Sequence, residues 1–257
     1  MVSTASGILC AGFCHLLRVE AAFTYGLFVF FATMAVYNGQ RLFKADQLIR
    51  TPWLIWVGAN KRALTGLVIV AFLCAMALLI VLQKRNAIAF AFLAVAGAIS
   101  VLYVWKVKGR NLREIPYLKI HLIALAWTFL LILFPIYNEG AEVNALAVGF
   151  AHYAYIFALA IPFDIRDLKY DSLAQKTIPQ VIGVQASKFL SSILLMIFSG
   201  TLAFQFPNLA ASPLFYVAVL VQIVLVVSMN EQRSDMYCAG AIDGAIALLG
   251  LSYWLVN

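Results

Sequence analysis

Three aspartates stand close together in the second half of the chain, at positions 164, 167 and 171. On a helix, Asp164, Asp167 and Asp171 would share one face, within about 60° of each other. Carboxylates at such spacing repel each other, and a divalent cation would remove that cost. Oxygen ligands suit Mg²⁺, which keeps several waters and commonly bridges to a substrate phosphate. The cluster predicts a magnesium–phosphate site; the alternative is a solvated acidic helix end with Arg166 and Lys169 as ion partners.

The composition of the whole chain is that of a membrane protein. Of its 257 residues, 64% are hydrophobic and 11% are charged, against about 45–50% and about 25% in an ordinary soluble domain. There are too few polar residues to coat a soluble globule of this size. A soluble enzyme, a disordered chain and a collagen-like fibre are therefore excluded, and the long unbroken apolar runs argue against an outer-membrane barrel.

Eight apolar runs meet or approach the roughly 20 residues that a helix needs to cross the bilayer core. They are 21–37, 63–83, 86–105, 120–137, 143–163, 189–206, 213–229 and 238–256. A ninth, shorter run at 5–17 is either a first transmembrane helix or a re-entrant piece. We predict a single all-α domain over residues 1–257, built as a bundle of about nine transmembrane helices.

The basic residues predict the orientation of this bundle. Fifteen of the 18 Lys and Arg residues fall in alternate loops, and basic loops face the cytoplasm. These loops are 38–62, 106–119, 164–188 and 230–237. We therefore expect a bacterial inner-membrane protein whose N-terminus and aspartate cluster are cytoplasmic. The basic loops account for the net charge of +7, so this charge does not indicate binding of nucleic acid. No nucleic-acid partner is expected.

A second polar stretch follows the aspartates and carries a family resemblance. Together the two stretches read Asp164-x-Arg166-Asp167-x-x-x-Asp171 and Lys176-Thr177-x-Pro179-x-x-x-Gly183. This pattern resembles the second aspartate-rich motif of the UbiA superfamily of intramembrane prenyltransferases. The motif match covers about 20 residues. The predicted number and arrangement of spans is similar to that family over the whole chain.

The resemblance implies a helical bundle around a central cavity and transfer of a polyprenyl group from its diphosphate to a lipophilic acceptor, often an aromatic ring. Members hold Mg²⁺ and diphosphate between two aspartate-rich motifs, and the prenyl tail enters from the lipid. It implies that Asp164, Asp167 and Asp171 are the catalytic metal ligands. It also implies that Arg166 and Lys176 help to hold the diphosphate.

The first motif of the family, Asn-Asp-x-x-Asp-x-x-x-Asp, is degenerate in this chain. Asn38 and Asp46 match its first and last positions, whereas Gly39 and Leu42 stand where two aspartates are expected. Glycine and leucine side chains cannot bind a cation. Basic residues stand beside them, at Arg41 and at position 44.

Three functions stay open on the sequence alone. The chain is a transferase with a single metal on the 164–171 cluster, in which Arg41 or Lys44 replaces the other metal as a diphosphate clamp. Alternatively it is an inactive scaffold that binds an isoprenoid or lipid, or a small-solute transporter. For the transferase, we expect the Asn38–Asp46 face to meet the aspartate cluster across a cavity.

Three further residues could contribute to such a site. Asp243 is the only charged residue inside the eight long apolar runs, and an acidic residue at such a position is a functional candidate. It either pairs with a basic residue or acts on a substrate or proton. In the basic loop 106–119, Arg110 and Arg113 share a helical face and are candidates for binding an anionic headgroup or the diphosphate.

Overall fold

The computed structural model describes residues 1–44, 52–82, 84, 86–105, 111–169 and 171–256. Over these ranges the protein is helical and contains no β-strand. The helices are α1 (Val2–Leu16), α2 (Ala22–Lys44), α3 (Pro52–Ala59), α4 (Lys61–Leu82), α5 (Ala87–Leu102), α6 (Leu118–Thr128), α7 (Phe134–Glu139), α8 (Ala145–Asp167), α9 (Ile178–Ile182), α10 (Val184–Gln205), α11 (Pro207–Ala210), α12 (Pro213–Val227) and α13 (Asp243–Trp254). A π-helical turn, Phe129–Leu133, joins α6 to α7, and another, Tyr237–Ile242, runs into α13.

The long helices are membrane-spanning in length and composition. In the described part of the chain, five are long and apolar enough to cross a bilayer, namely Ala22–Phe43, Lys61–Leu82, Leu118–Glu139, Ala145–Asp167 and Val184–Gln205. Three shorter apolar helices, α1, α5 and α12, accompany them. The all-α bundle predicted from the sequence is confirmed and the protein is an integral membrane protein, while the count of nine spans stays a prediction.

The helices begin and end where local chemistry dictates. Asn86 starts α5, because its side-chain oxygen accepts hydrogen bonds from the backbone N–H groups of Ile88 and Ala89. Asn144 caps α8 in the same way, through the Ala147 N–H at 3.1 Å. Gly140 ends α7 in the left-handed conformation that glycine adopts without strain. The short helix α3 lies in a segment predicted as a loop.

Helix α8 lies at the centre of the bundle. Most of its side chains are buried, and it packs chiefly against α6 and α10. Helix α4, by contrast, turns large apolar side chains outward, as at Ile80 and Val81. Such a face is suited to lipid rather than water. The central helix is therefore the one that carries the aspartate cluster at its end.

Helix α1 is wedged between α2 and α13, and glycines permit the close approach. A Cβ on Gly12 would lie 2.0 Å from the Gly250 carbonyl oxygen, and a Cβ on Gly250 would lie 2.7 Å from the backbone of Ile8. Small residues allow membrane helices to pack backbone against backbone in this way. The run 5–17 is thus a helix of the bundle, packed against the first and last long segments.

We expect Gly12→Ala to destabilise the protein by about 1–3 kcal/mol, because the added methyl group overpacks this crossing. Gly66→Ala is the matched control, since a Cβ at this position in α4 would meet nothing within 4 Å; alanine there should be neutral or mildly stabilising. Thermal unfolding in detergent measures both. Equal stability of the two variants would contradict the close approach of α1 and α13.

Candidate functional site

A cavity of about 460 Å³ opens between α2, α5, α6, α8 and the start of α13. Its inner part is lined by apolar side chains, among them Ala96, Leu130, Ile156 and Leu159. Charged side chains gather at one end, which we call the polar end of the cavity. They are Arg41, Arg113, Lys119, Asp164, Arg166, Asp167 and Asp243. The cavity therefore joins a charged compartment to an apolar one.

The aspartate cluster does not lie on one continuous helix, as the sequence analysis expected. Helix α8 ends at Asp167, and the chain turns before Asp171. The Asp171 N–H still donates to the Asp167 carbonyl oxygen at 2.9 Å, which holds it one turn beyond the helix end. The expectation of a single helical face is therefore wrong, because the helix stops inside the motif.

Lys119 of α6 neutralises two of the three carboxylates. Its Nζ lies 2.8 Å from Asp164 Oδ1 and 2.5 Å from Asp171 Oδ2. All three side chains are more than nine-tenths buried. Asp171 is also 3.6 Å from the Arg113 guanidinium. A single ammonium group thus holds the helix end and the following turn together.

The third carboxylate has a partner of its own. Arg166 donates two hydrogen bonds to Asp167, at 2.8 and 3.1 Å. This paired geometry is the one in which a guanidinium binds a carboxylate most strongly. Both side chains are about a quarter exposed and both line the cavity.

The opposite wall comes from the end of α2. Arg41 and Tyr37 line the cavity, with the guanidinium 4.9 Å from the centre of the tyrosine ring. Gln40 fastens this wall to α5 by donating to the Ser100 carbonyl oxygen at 2.9 Å. Arg41 of the degenerate first motif therefore lies on a wall of the same cavity as Asp164 and Asp167, whereas Asp171 does not line it.

Four other residues named from the sequence are placed differently or not described. Asn38 does not line the cavity and donates its side-chain amide to the Met34 carbonyl oxygen of its own helix. Lys44 lies at the last position of α2, and its side chain lies outside the described residues, as do Asp46 and Arg110.

Lys176 lies outside the cavity lining. It adopts a left-handed backbone conformation, with φ of 47°, and its ammonium group lies 5.8 Å from the centre of the Tyr117 ring. The Tyr117 N–H donates to the Gln175 carbonyl oxygen at 2.9 Å. This contact joins the loop before α6 to the loop after α8, so Lys176 stands where it can brace the two loops.

The donor atoms present fit one magnesium ion. Asp164 Oδ2 is buried and has no hydrogen-bond partner among the described residues, and Asp167 lines the cavity beside it. Mg²⁺ is commonly held by one or two carboxylates, with waters and substrate phosphates filling its other positions. In the described part of the chain, no three or more His, Cys, Asp or Glu side chains are grouped to hold a metal. Asp171 differs from Asp164 and Asp167 in that it does not line the cavity.

Lys119 is a residue of the candidate site that the sequence pattern does not single out. It is one of five basic residues in the predicted loop 106–119, yet it stands at the very start of an apolar helix. A lone lysine at such a boundary is the signal that could have marked it, because a buried ammonium group needs acidic partners. Arg113, by contrast, was a sequence candidate and does line the cavity.

Comparison with solved structures identifies the fold. A UbiA homolog from Archaeoglobus fulgidus bound to GPP and Mg²⁺ matches with a TM-score of 0.56 at 16% identity, over 98% of this chain and 95% of that chain. The A. fulgidus UbiA homolog bound to DMAPP and Mg²⁺ matches with a TM-score of 0.53 at 15% identity, over 100% and 96%. No family model matches the sequence, and neither does any curated protein. The chain has the UbiA fold, and the resemblance stated from the motifs is confirmed at that level.

Proposed function

We propose that this chain, which has the UbiA fold, is a membrane prenyltransferase that moves a polyprenyl group from its diphosphate to a lipophilic acceptor. The observation that supports the proposal is that Arg41 of the first motif lines the polar end of the same cavity as Asp164 and Asp167. The A. fulgidus proteins with this fold were solved with the isoprenoid diphosphates GPP and DMAPP and with Mg²⁺. The apolar part of the cavity suits a prenyl chain, and the polar end suits a diphosphate.

The basic side chains of the polar end would bind the diphosphate. Arg41, Arg113 and Arg166 present guanidinium groups from three separate segments, and guanidinium groups bind phosphate oxygens through two hydrogen bonds at once. Arg41 occupies the wall from which the motif aspartates are missing, so it takes over part of the charge compensation there. Lys176 is a further candidate from its position in the motif, although it does not line the cavity.

Asp164 and Asp167 would hold one Mg²⁺, which would offset the negative charge that builds on the leaving diphosphate. Their partners Lys119 and Arg166 fix the two carboxylates in place. The apolar lining keeps water away from the allylic carbon, and this protects the electrophile until the acceptor reacts. We place the polar end on the cytoplasmic side of a bacterial inner membrane, in accord with the basic loops.

Diphosphate release from geranyl diphosphate by the purified protein in detergent tests the proposal. We expect release with Mg²⁺, loss of release in EDTA and recovery when Mg²⁺ is restored, because the carboxylates alone repel the substrate. A panel of phenols, hydroquinones and long-chain alcohols would reveal prenylated products by mass spectrometry. Absence of diphosphate release at every prenyl chain length would refute the transferase.

A catalytically inactive scaffold that binds an isoprenoid is the second candidate. It is favoured by the internal pairing of all three aspartates with Lys119 and Arg166. Such a scaffold would bind geranyl diphosphate without turnover, and Asp167→Ala would leave that binding unchanged. In a transferase, the same variant would lose both turnover and the Mg²⁺-dependent part of the affinity.

A further inference from the structure

Asp243 is a carboxylate of the cavity that the diphosphate site does not use. It is 4% exposed and lies at the start of α13, where it lines the polar end. Among the described residues, no basic side chain comes within 4 Å of it, and it makes no side-chain hydrogen bond. The sequence alternative of pairing with a basic residue is therefore not realised in the described part of the chain.

The backbone before Asp243 is unusual. The six residues Tyr237–Ile242 form a π-helical turn that runs directly into α13. A π turn inserts an extra residue into a helix and rotates the side chains that follow, and such turns are frequent at functional sites. This turn ends directly before Asp243, so it helps to set the direction in which the Asp243 side chain leaves the helix. The helix thus departs from regular geometry next to the intramembrane carboxylate of this segment.

The charges around Asp243 indicate which substrate it serves. The α-amino group of Met1, Arg166 of α8 and Arg41 of α2 interact with it electrostatically, and their positive charge partly offsets the cost of keeping a carboxylate inside the bundle. A carboxylate repels a diphosphate, so Asp243 by itself weakens binding of the prenyl donor. Its presence at the polar end therefore points to a role toward the other substrate, the acceptor. An acceptor must lose a proton when it is prenylated, and a carboxylate can take up that proton.

We propose that Asp243 is a catalytic residue that accepts the proton of the acceptor substrate, an inference that rests on the proposed prenyl transfer. The C1–O bond of the prenyl diphosphate breaks, and the diphosphate leaves with the electron pair. A bond forms between C1 and a ring carbon or hydroxyl oxygen of the acceptor. The hydrogen on that atom leaves as a proton to the Asp243 carboxylate and passes to water when the product departs.

The test uses Asp243→Asn, which keeps the size of the side chain and removes its basicity. The probes are geranyl diphosphate and hydroquinone, and diphosphate release, geraniol and geranylhydroquinone are measured separately. We expect geranylhydroquinone formation to fall about 100-fold, a typical effect of losing a general base, while diphosphate release continues with geraniol as the product. Asp243→Glu should recover part of the transfer.

Ring-deuterated hydroquinone gives a readout that a structural role would not change. For transfer to a ring carbon, the isotope effect should be larger in Asp243→Asn than in the unaltered protein, because loss of the ring proton then limits the rate. Glu231→Gln, an exposed carboxylate in the loop before the π turn, is the matched control and should change neither quantity.

Three results would overturn the role of Asp243. They are unchanged transfer in Asp243→Asn, equal loss of diphosphate release and transfer, and formation of geraniol alone by both proteins at the same rate. No diphosphate release by the unaltered protein has a different meaning, because it refutes prenyl transfer itself. The two failures are therefore distinguishable in one experiment.

Discussion

Replacing Lys119 by methionine should lower the free energy of unfolding by about 3–5 kcal/mol, the cost of breaking a buried ion pair by removing one partner. The Lys119 ammonium group lies between Asp164 and Asp171, and methionine fills similar space without a charge. Asp164 would then keep a buried carboxylate with no cationic partner within 4 Å among the described residues. Unfolding in mixed detergent micelles, followed by circular dichroism, measures the change.

Two further variants separate charge from packing at this position. Lys119→Met combined with Asp171→Asn should recover part of the lost stability, because one of the unpaired charges is gone. Lys188→Met is the matched control, since Lys188 is only half-buried and donates to the Val227 carbonyl oxygen without an acidic partner among the described residues; we expect a change within about 0.5 kcal/mol. If Lys119→Met were no less stable than Lys188→Met, the bridge would contribute nothing to the fold.

Asp167→Asn should reduce the rate of diphosphate release about 1000-fold, in the range measured when one preorganised electrostatic group is lost from an active site. The apparent affinity for Mg²⁺ should weaken as well. Asp167 lines the cavity and is only partly buried, so the amide should not disturb the fold. Steady-state release from geranyl diphosphate, titrated with Mg²⁺, measures both changes.

Asp235→Asn is the control for this prediction. The Asp235 carboxylate lies 3.6 Å from Arg166, yet its side chain is 81% exposed and it does not line the cavity. We expect a change of less than about threefold, because exposed ion pairs contribute little. If Asp167→Asn and Asp235→Asn reduced the rate of diphosphate release equally, both carboxylates would act only through their ion pairs with Arg166.

Hydropathy predicted the bundle well because each apolar run has to be a helix in lipid, where every backbone polar group must be satisfied within its own segment. Hydropathy did not predict the exact ends of the helices or the π-helical turns. The end of α8 at Asp167 and the π turns before α7 and α13 depend on packing between helices. The helix α3 is too short to leave a hydropathy signal of its own.

The site was predictable in its acidic half and only partly in its basic half. Asp164 and Asp167 were found because motif spacing is local, and Arg41 because it stands inside the degenerate first motif. Lys119 reaches Asp171 across 52 positions of sequence, and no short-range pattern encodes such a contact. For Lys176 the motif position predicts a role in binding diphosphate, and the side chain lies near the Tyr117 ring, outside the cavity lining; its role stays a prediction.

The glycine crossing of α1 and α13 has a consequence for biogenesis. Gly12 and Gly250 are far apart in the sequence, so their close contact can form only after all the helices between them have been synthesised. Before α13 is made, α1 can pack on α2 and on the π-helical turn before α7, and the wall that carries Asp243 is absent. A nascent chain arrested before Gly250 should therefore be trimmed by membrane proteases far more readily than the finished protein, since contacts this distant in sequence close last.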